Sequence, residues 1–376
     1  MTGALLPPEV RERFRVPGPG PYLASHSAGA QPRSAIAALH RHFLDPWGQR
    51  GGDWDAWLAA IDGWRGALAA LLDAEAQDIC PTPGVGEGLA RYVSALDAAT
   101  ERRTILLAPS AFPTIGFVAG GLAARGWRLR YLPTDADVRL PASWAAALDA
   151  DVALVIAMHV SSVSGARADM AGIAAAARAA GARCIADCAQ SAGVVPVEPA
   201  AWGVDAAISS CLKWLCGGPG AGWLWVAPHD RTVLEPATRG WWSHADPFAM
   251  DIHDFRYAPD ARRWWGGTPD VAPFVLAGAG LGEIAALGVA AIADHNRTLQ
   301  AMLRDQLKPL TPQWRWPLGA IGGSLCIGLG DDHPRVAAAV AAGGIQADFR
   351  GDVLRLSFHA YNGADDVTAV VEALRQ

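Results

Sequence analysis

Between residues 53 and 226, helical stretches alternate with short, unbroken apolar runs, and this pattern constrains the fold more than any other feature of the chain. The runs are TILLAPS, WRLRYLPT, DVALVIAMHV, ARCIADCA, DAAISSC and GWLWVAP. Between them lie segments such as ADMAGIAAAARAAG, in which Gly181 marks a helix stop. Strand, helix, strand at this pitch predicts an α/β fold whose mostly parallel sheet is covered by helices on both faces. Sheets of that kind bind ligands beyond the carboxyl ends of their strands.

The texture changes near residue 270. A long Ala/Gly/Leu-rich helix leads into two apolar strands, GSLCIGLG and DVLRLSFHA, with the helix PRVAAAVAAGG between them and DDVTAVVEALRQ at the end. The expected organisation is an N-terminal segment (1–45) packing with the small domain, a large domain (46–269), and a smaller α+β domain (270–376).

At 376 residues the chain can bury a substantial core without disulfides. Its net charge is −6, with arginines and acids interspersed and no basic run, which argues against nucleic acid as a partner. No stretch reaches 18 uninterrupted apolar residues, and the N-terminus lacks a signal-peptide core, so a protein independent of membranes is expected. The six cysteines have neither CxxC nor zinc-ribbon spacing. They read as small core residues in a reducing cytoplasm, with no metal site.

Polar residues mark the ends of successive strands. DVALVIA is followed by His159, Ser161 and Ser162; ARCIA by Asp187 and Gln190; DAAIS by Ser210 and Lys213, then the run Gly217-Gly218-Pro219-Gly220. An acid and an amine thus emerge at one sheet edge. Of 31 basic residues only Lys213 and Lys308 are lysines. Lys308 precedes Pro309 at a helix end, with neither acid nor glycine loop nearby in sequence. Arginine cannot replace a nucleophilic amine, because its guanidinium stays protonated. Earlier, Gly84-Val85-Gly86-Glu87-Gly88 opens a helix and offers free backbone N–H groups to an anion. Amine, carboxylate and anion cradle together fit pyridoxal phosphate.

At these residues the chain resembles the class V aminotransferase family, and kynureninases within it. The stretch DCAQSAGVVPVEPAAWGVDAAISSCLKWLCGGPGAGWLWV (187–226) is similar to the family's cofactor region. YLASHSAGAQP (22–32), LAPSAFPTIGF (107–117) and ADFRGDVLRLSFHAYNGADDV (347–367) match other family segments. RGWWSHADPFAM (239–250) and WWGGTPD (264–270) look kynureninase-like. The resemblance implies the fold-type-I architecture of pyridoxal phosphate enzymes. It implies that Lys213 is the Schiff-base lysine and that Asp187 is the partner of the pyridine nitrogen. Phe112 would stack on the ring, Gln190 would contact the cofactor, and Val85 and Gly86 would hold its phosphate. Trp241 and Thr268 would reach the phosphate of a neighbouring subunit, implying a homodimer with shared sites. Arg355 would grip the carboxylate of an amino acid substrate, with His26 also at the substrate.

Three positions depart from kynureninases. Gln190 stands where they usually have histidine, Leu212 where they have tyrosine, and Ile115 where they have aspartate. Hydrolytic side-chain cleavage needs proton donors near the γ-carbonyl; His26, His159 and His244 are the histidines available for that work. The expected reaction is kynureninase-like side-chain cleavage, with transamination as the alternative. A desulfurase is disfavoured because Cys326 lies in an apolar strand, and a non-catalytic scaffold because Lys213, Asp187, Phe112 and Arg355 are all present.

Overall fold

The computed structural model describes residues 4–96 and 101–375. Its central sheet has seven strands: β1 (Ile79–Thr82), β2 (Thr104–Leu107), β3 (Arg128–Tyr131), β4 (Val152–Met158), β5 (Arg183–Asp187), β6 (Ala206–Ser210) and β7 (Gly222–Val226). They lie in the order β1-β7-β6-β5-β4-β2-β3. From β3 to β6 every neighbouring pair is parallel, whereas β7 runs antiparallel to both β6 and β1. The apolar runs of the sequence are the inner strands. Six of the seven β4 residues are buried, as are all five of β7, because helices cover both faces. Strand β1 escapes the pattern: it is short and contains Pro81. Proline is tolerated there because β1 is an edge strand, where a missing N–H breaks no central ladder.

The helices begin and end where local chemistry dictates. Helix α1 (Trp54–Leu71) is capped by Asp53, whose carboxylate accepts the Ala56 N–H at 3.0 Å. Helices α2 (Val85–Ser94) and α3 (Pro113–Gly120) follow β1 and β2. Helix α4 (Met170–Ala179) is capped by Asp169 and stops at Gly181, whose φ of +71° is the left-handed conformation glycine permits. The long helix expected after residue 270 is two, α5 (Ala272–Leu287) and α6 (Val289–Leu307). Among the described residues no single helix is long and apolar enough to cross a membrane; α5 and α6 meet that test only together, across a 78° bend.

The remainder comprises β8 (Ser324–Gly328), α7 (His333–Ala342), β9 (Asp348–Arg350), β10 (Val353–Ser357) and α8 (Ala364–Arg375). The three strands form an antiparallel sheet in the order β8-β10-β9. Buried apolar residues fall into two cores. Phe274, Leu281 and Ile284 of α5 belong to the larger, with the central sheet, whereas Leu299 and Leu303 of α6 belong to the smaller. The chain therefore passes between cores within α6, whose Ile292 still belongs to the larger, and α5 packs along α1. The N-terminal segment straddles both, with Phe14 in the larger core and Leu23 in the smaller. It also closes on the lysine loop. Gly29 N–H donates to the Leu212 carbonyl at 2.8 Å, and a Cβ on Gly29 would lie 2.2 Å from the Lys213 carbonyl oxygen, so only glycine fits.

Candidate active site

Strands β4, β5 and β6 end side by side, with Met158 paired in register to Asp187. Their ends, the start of α2 and the turn before α3 enclose a cavity of about 280 Å³. Six of the residues expected from sequence line it together: Val85, Gly86, Phe112, Asp187, Gln190 and Lys213.

Each contributes a different chemistry. Asp187 is buried, and its Oδ1 accepts the Ala189 N–H at 2.9 Å. Burial pushes this carboxyl above its ordinary range, against the pull of that hydrogen bond and of Lys213. Burial pushes the Lys213 amine below its ordinary value. Arg355 and Arg350 act in the same direction and Asp187 opposes them. The amine lies 5.4 Å from the centroid of the Phe112 ring. At the opposite wall, α2 begins at Gly84 with no capping side chain, so its first-turn N–H groups have no intrahelical partner.

Arg355 lies beside this cavity. Its Nε–H donates to Asp348 Oδ1 at 2.7 Å, Nη2 donates to the other carboxylate oxygen, and Nη1 donates to the carbonyl of the cavity residue Ser162 at 2.9 Å. Gln190 Nε2 donates to the His26 carbonyl at 3.0 Å, and its Oε1 accepts from Trp214 Nε1 at 3.3 Å. His26 departs from expectation. Its ring is only 1% exposed, and both nitrogens are engaged, at 2.8 Å to Ser357 Oγ and 2.8 Å to Asp348 Oδ1. His26 does not line the cavity.

Trp241 and Thr268 are not part of the cavity. Trp241 Nε1–H donates to Thr268 Oγ1 at 3.2 Å on another face, where Trp241 packs edge-on against Trp54 and Trp242. The other two histidines do not reach the cavity either. His159 is packed edge-on against Trp202, 4.5 Å between centroids, and burial lowers its pKa to about 3. His244 bonds the backbone of its own loop, accepting from the Asp246 N–H and donating to the Asp254 carbonyl. Ile115 is fully buried in α3 and Leu212 is half-buried, so neither offers a proton.

Glu87, Met158 and Ser162, at the helix start and strand end that the sequence marked, also line the cavity; sequence reasoning missed Thr114 there, and Asp348 and Arg350 as neighbours of Arg355. The Asp-x-Arg triplet shortly before Arg355 was the available signal. All six cysteines are buried and unpaired, and burial raises Cys326 to about 12, which leaves no thiolate for sulfur transfer. Lys308 is exposed at the end of α6.

An uncapped helix start, an aromatic face, a buried carboxylate and a buried amine are complementary to the phosphate, ring, pyridine nitrogen and aldehyde of pyridoxal phosphate. Fold and site together define a pyridoxal phosphate-dependent enzyme of fold type I.

The comparisons agree. The family model described as aminotransferase class-V matches residues 53–316, and the chain belongs to that family. A kynureninase of Burkholderia mallei is 30% identical, covering 97% of this chain and 91% of the relative. A kynureninase of Deinococcus radiodurans is 32% identical, covering 93% and 87%. Among solved structures, the apo cysteine desulfurase of Thermococcus onnurineus superposes with a TM-score of 0.86 at 20% identity, covering 100% of this chain and 98% of that one. A C-DES variant with glycine covalently linked to its pyridoxal phosphate gives 0.87 at 20% identity, covering 97% and 98%. At that identity the structures show the fold alone.

Proposed function

We propose that this enzyme cleaves a side-chain bond of an α-amino acid, as kynureninases do, and that an aryl-keto amino acid such as kynurenine is the substrate class. The supporting observation is that the likeness to kynureninases runs over nearly the whole chain, while Lys213, Asp187 and Phe112 line one cavity with Arg355 bonded to its residue Ser162.

When bound, the cofactor supplies an electron sink for the pair released at the substrate Cα. The rest is the work of the chain. The Lys213 amine would hold the cofactor, and as a free amine it would move protons at its Nζ. Burial lowers its pKa from the ordinary lysine value, in the direction that favours the free amine. Asp187 would keep the pyridine nitrogen protonated, Phe112 would cover the ring and exclude water, and Gln190 would border it. Val85 and Gly86 would hold the phosphate through backbone N–H groups, and Arg355 would grip the substrate carboxylate. Trp241 and Thr268, which do not line their own subunit's cavity, would serve the phosphate of the second subunit in a homodimer. The six reduced, buried cysteines support a cytoplasmic location.

A second reading, transamination, is favoured by one observation: Leu212 places an aliphatic side chain where a cleaving enzyme has a phenol. The two are separated by products. Holoenzyme incubated with L-kynurenine and related keto amino acids is expected to release L-alanine and the aryl acid. Absence of release across the panel overturns cleavage. Conversion of the cofactor to its amine form by an amino acid alone, reversed by a keto acid, establishes transamination.

A further inference from the structure

We propose that Asp348 and His26 are positioning residues, which hold Arg355 so that one edge of its guanidinium is kept for the substrate carboxylate. The proposal rests on the reading of Arg355 as the carboxylate grip and extends it to residues with no role so far.

Asp348 and Arg355 are direct partners across the antiparallel strands β9 and β10. Their contact is side-on: Nε–H and one Nη2 hydrogen go to the two carboxylate oxygens, and one Nη1 hydrogen goes to the Ser162 carbonyl. A guanidinium has five N–H groups, so one on Nη1 and one on Nη2 are left over. They form the second bidentate edge, matched to a carboxylate, when Ser162 takes the Nη1 hydrogen on the Cδ side. Arg355 is 6% exposed, so without Asp348 it would be a buried cation lacking a charged partner.

His26 fixes Asp348 in turn. Because a carboxylate only accepts, His26 Nε2 carries the hydrogen toward Asp348 Oδ1, and Nδ1 lies 2.8 Å from Ser357 Oγ, which also meets the Leu23 carbonyl at 2.8 Å. Ser357 is wholly buried, so this serine–histidine–aspartate sequence has no nucleophile that a substrate could reach. Its function is mechanical. The His26 carbonyl also receives Gln190 Nε2, which ties the clamp to the floor of the cofactor cavity. A long arginine held in one rotamer before substrate arrives loses less entropy on binding.

The test compares two probes on the holoenzyme by isothermal titration calorimetry: L-alanine, and ethylamine, which lacks the carboxylate. Wild type should prefer L-alanine. In Asp348→Ala the affinity for L-alanine should fall about tenfold, the scale of a lost hydrogen bond to a charged group, while ethylamine is unaffected. Added formate, filling the vacated place, should restore part of the loss. Asp348→Asn, which preserves shape, should weaken L-alanine in the same selective way and serves if the alanine variant does not fold. Equal losses for both probes, or an unchanged affinity for L-alanine, would overturn the proposal. Failure of wild type to prefer L-alanine would refute Arg355 as the grip, a different result from failure of the positioning role alone.

Discussion

Asp187 and Lys213 line one cavity from the ends of adjacent parallel strands, and each opposes what burial does to the other. Burial raises the carboxyl and lowers the amine, while their mutual attraction acts against both shifts. Removing the carboxylate therefore has two effects: the pyridine nitrogen loses its anionic partner, and the amine loses its one opposing negative charge. Asp187→Asn is expected to lower kcat by about a hundredfold, corresponding to roughly 3 kcal/mol for breaking a buried charge pair. Steady-state kinetics on cofactor-saturated enzyme checks this, and a kcat within threefold of wild type would contradict it.

Leu212 is half-buried beside Lys213 and cannot relay a proton. If the missing phenol limits cleavage, Leu212→Tyr should raise alanine release from L-kynurenine by about tenfold, less than the roughly hundredfold or more of an optimally placed acid–base group. A lower rate of release in a folded Leu212→Tyr variant would show that another group already does that work.

His159 predicts a pH dependence of stability. Its ordinary pKa of 6.5 falls to about 3 in the folded protein, chiefly through burial. The unfolded chain then binds the proton more readily. The stabilising contribution is complete above pH 6.5 and is lost as pH falls from there toward 3, at about 1.4 kcal/mol per unit. His359, lowered to about 4 by burial, acts in the same direction. His159→Phe has no charge to acquire and should flatten the slope between pH 6.5 and 5 in denaturant titrations. An unchanged slope would contradict the assignment.

Trp241 and Thr268 lie apart from their own cavity, so a shared site is open to a mixing test. Lys213→Ala and Trp241→Ala proteins, each inactive alone, should recover up to about a quarter of wild-type activity when refolded together. Half of the dimers are then mixed, and each of those has one intact site. No recovery would mean that each subunit's site is self-contained.

The long inner strands and their polar ends were legible in the sequence because strands buried on both faces leave apolar runs that nothing else produces at that spacing. Strand β1 was not, since Pro81 and four residues resemble a loop unless its edge position is known. Strand β9 has three residues, and its importance lies in pairing Asp348 with Arg355, which spacing alone does not reveal. The break at Gly288 was hidden by uniform Ala/Gly composition on both sides. His26 was read from sequence as a substrate residue; the fold joins it to Asp348, the carboxylate that Arg355 contacts, a link that spacing alone does not reveal.

The central claim is that Lys213 holds the cofactor. Holoenzyme treated with borohydride, which makes such a linkage permanent, can be digested and its peptides weighed. The account predicts one modified peptide, containing Lys213, with that containing Lys308 unchanged and no modified peptide in Lys213→Ala. Modification at Lys308, or none in protein that has bound the cofactor, would contradict it.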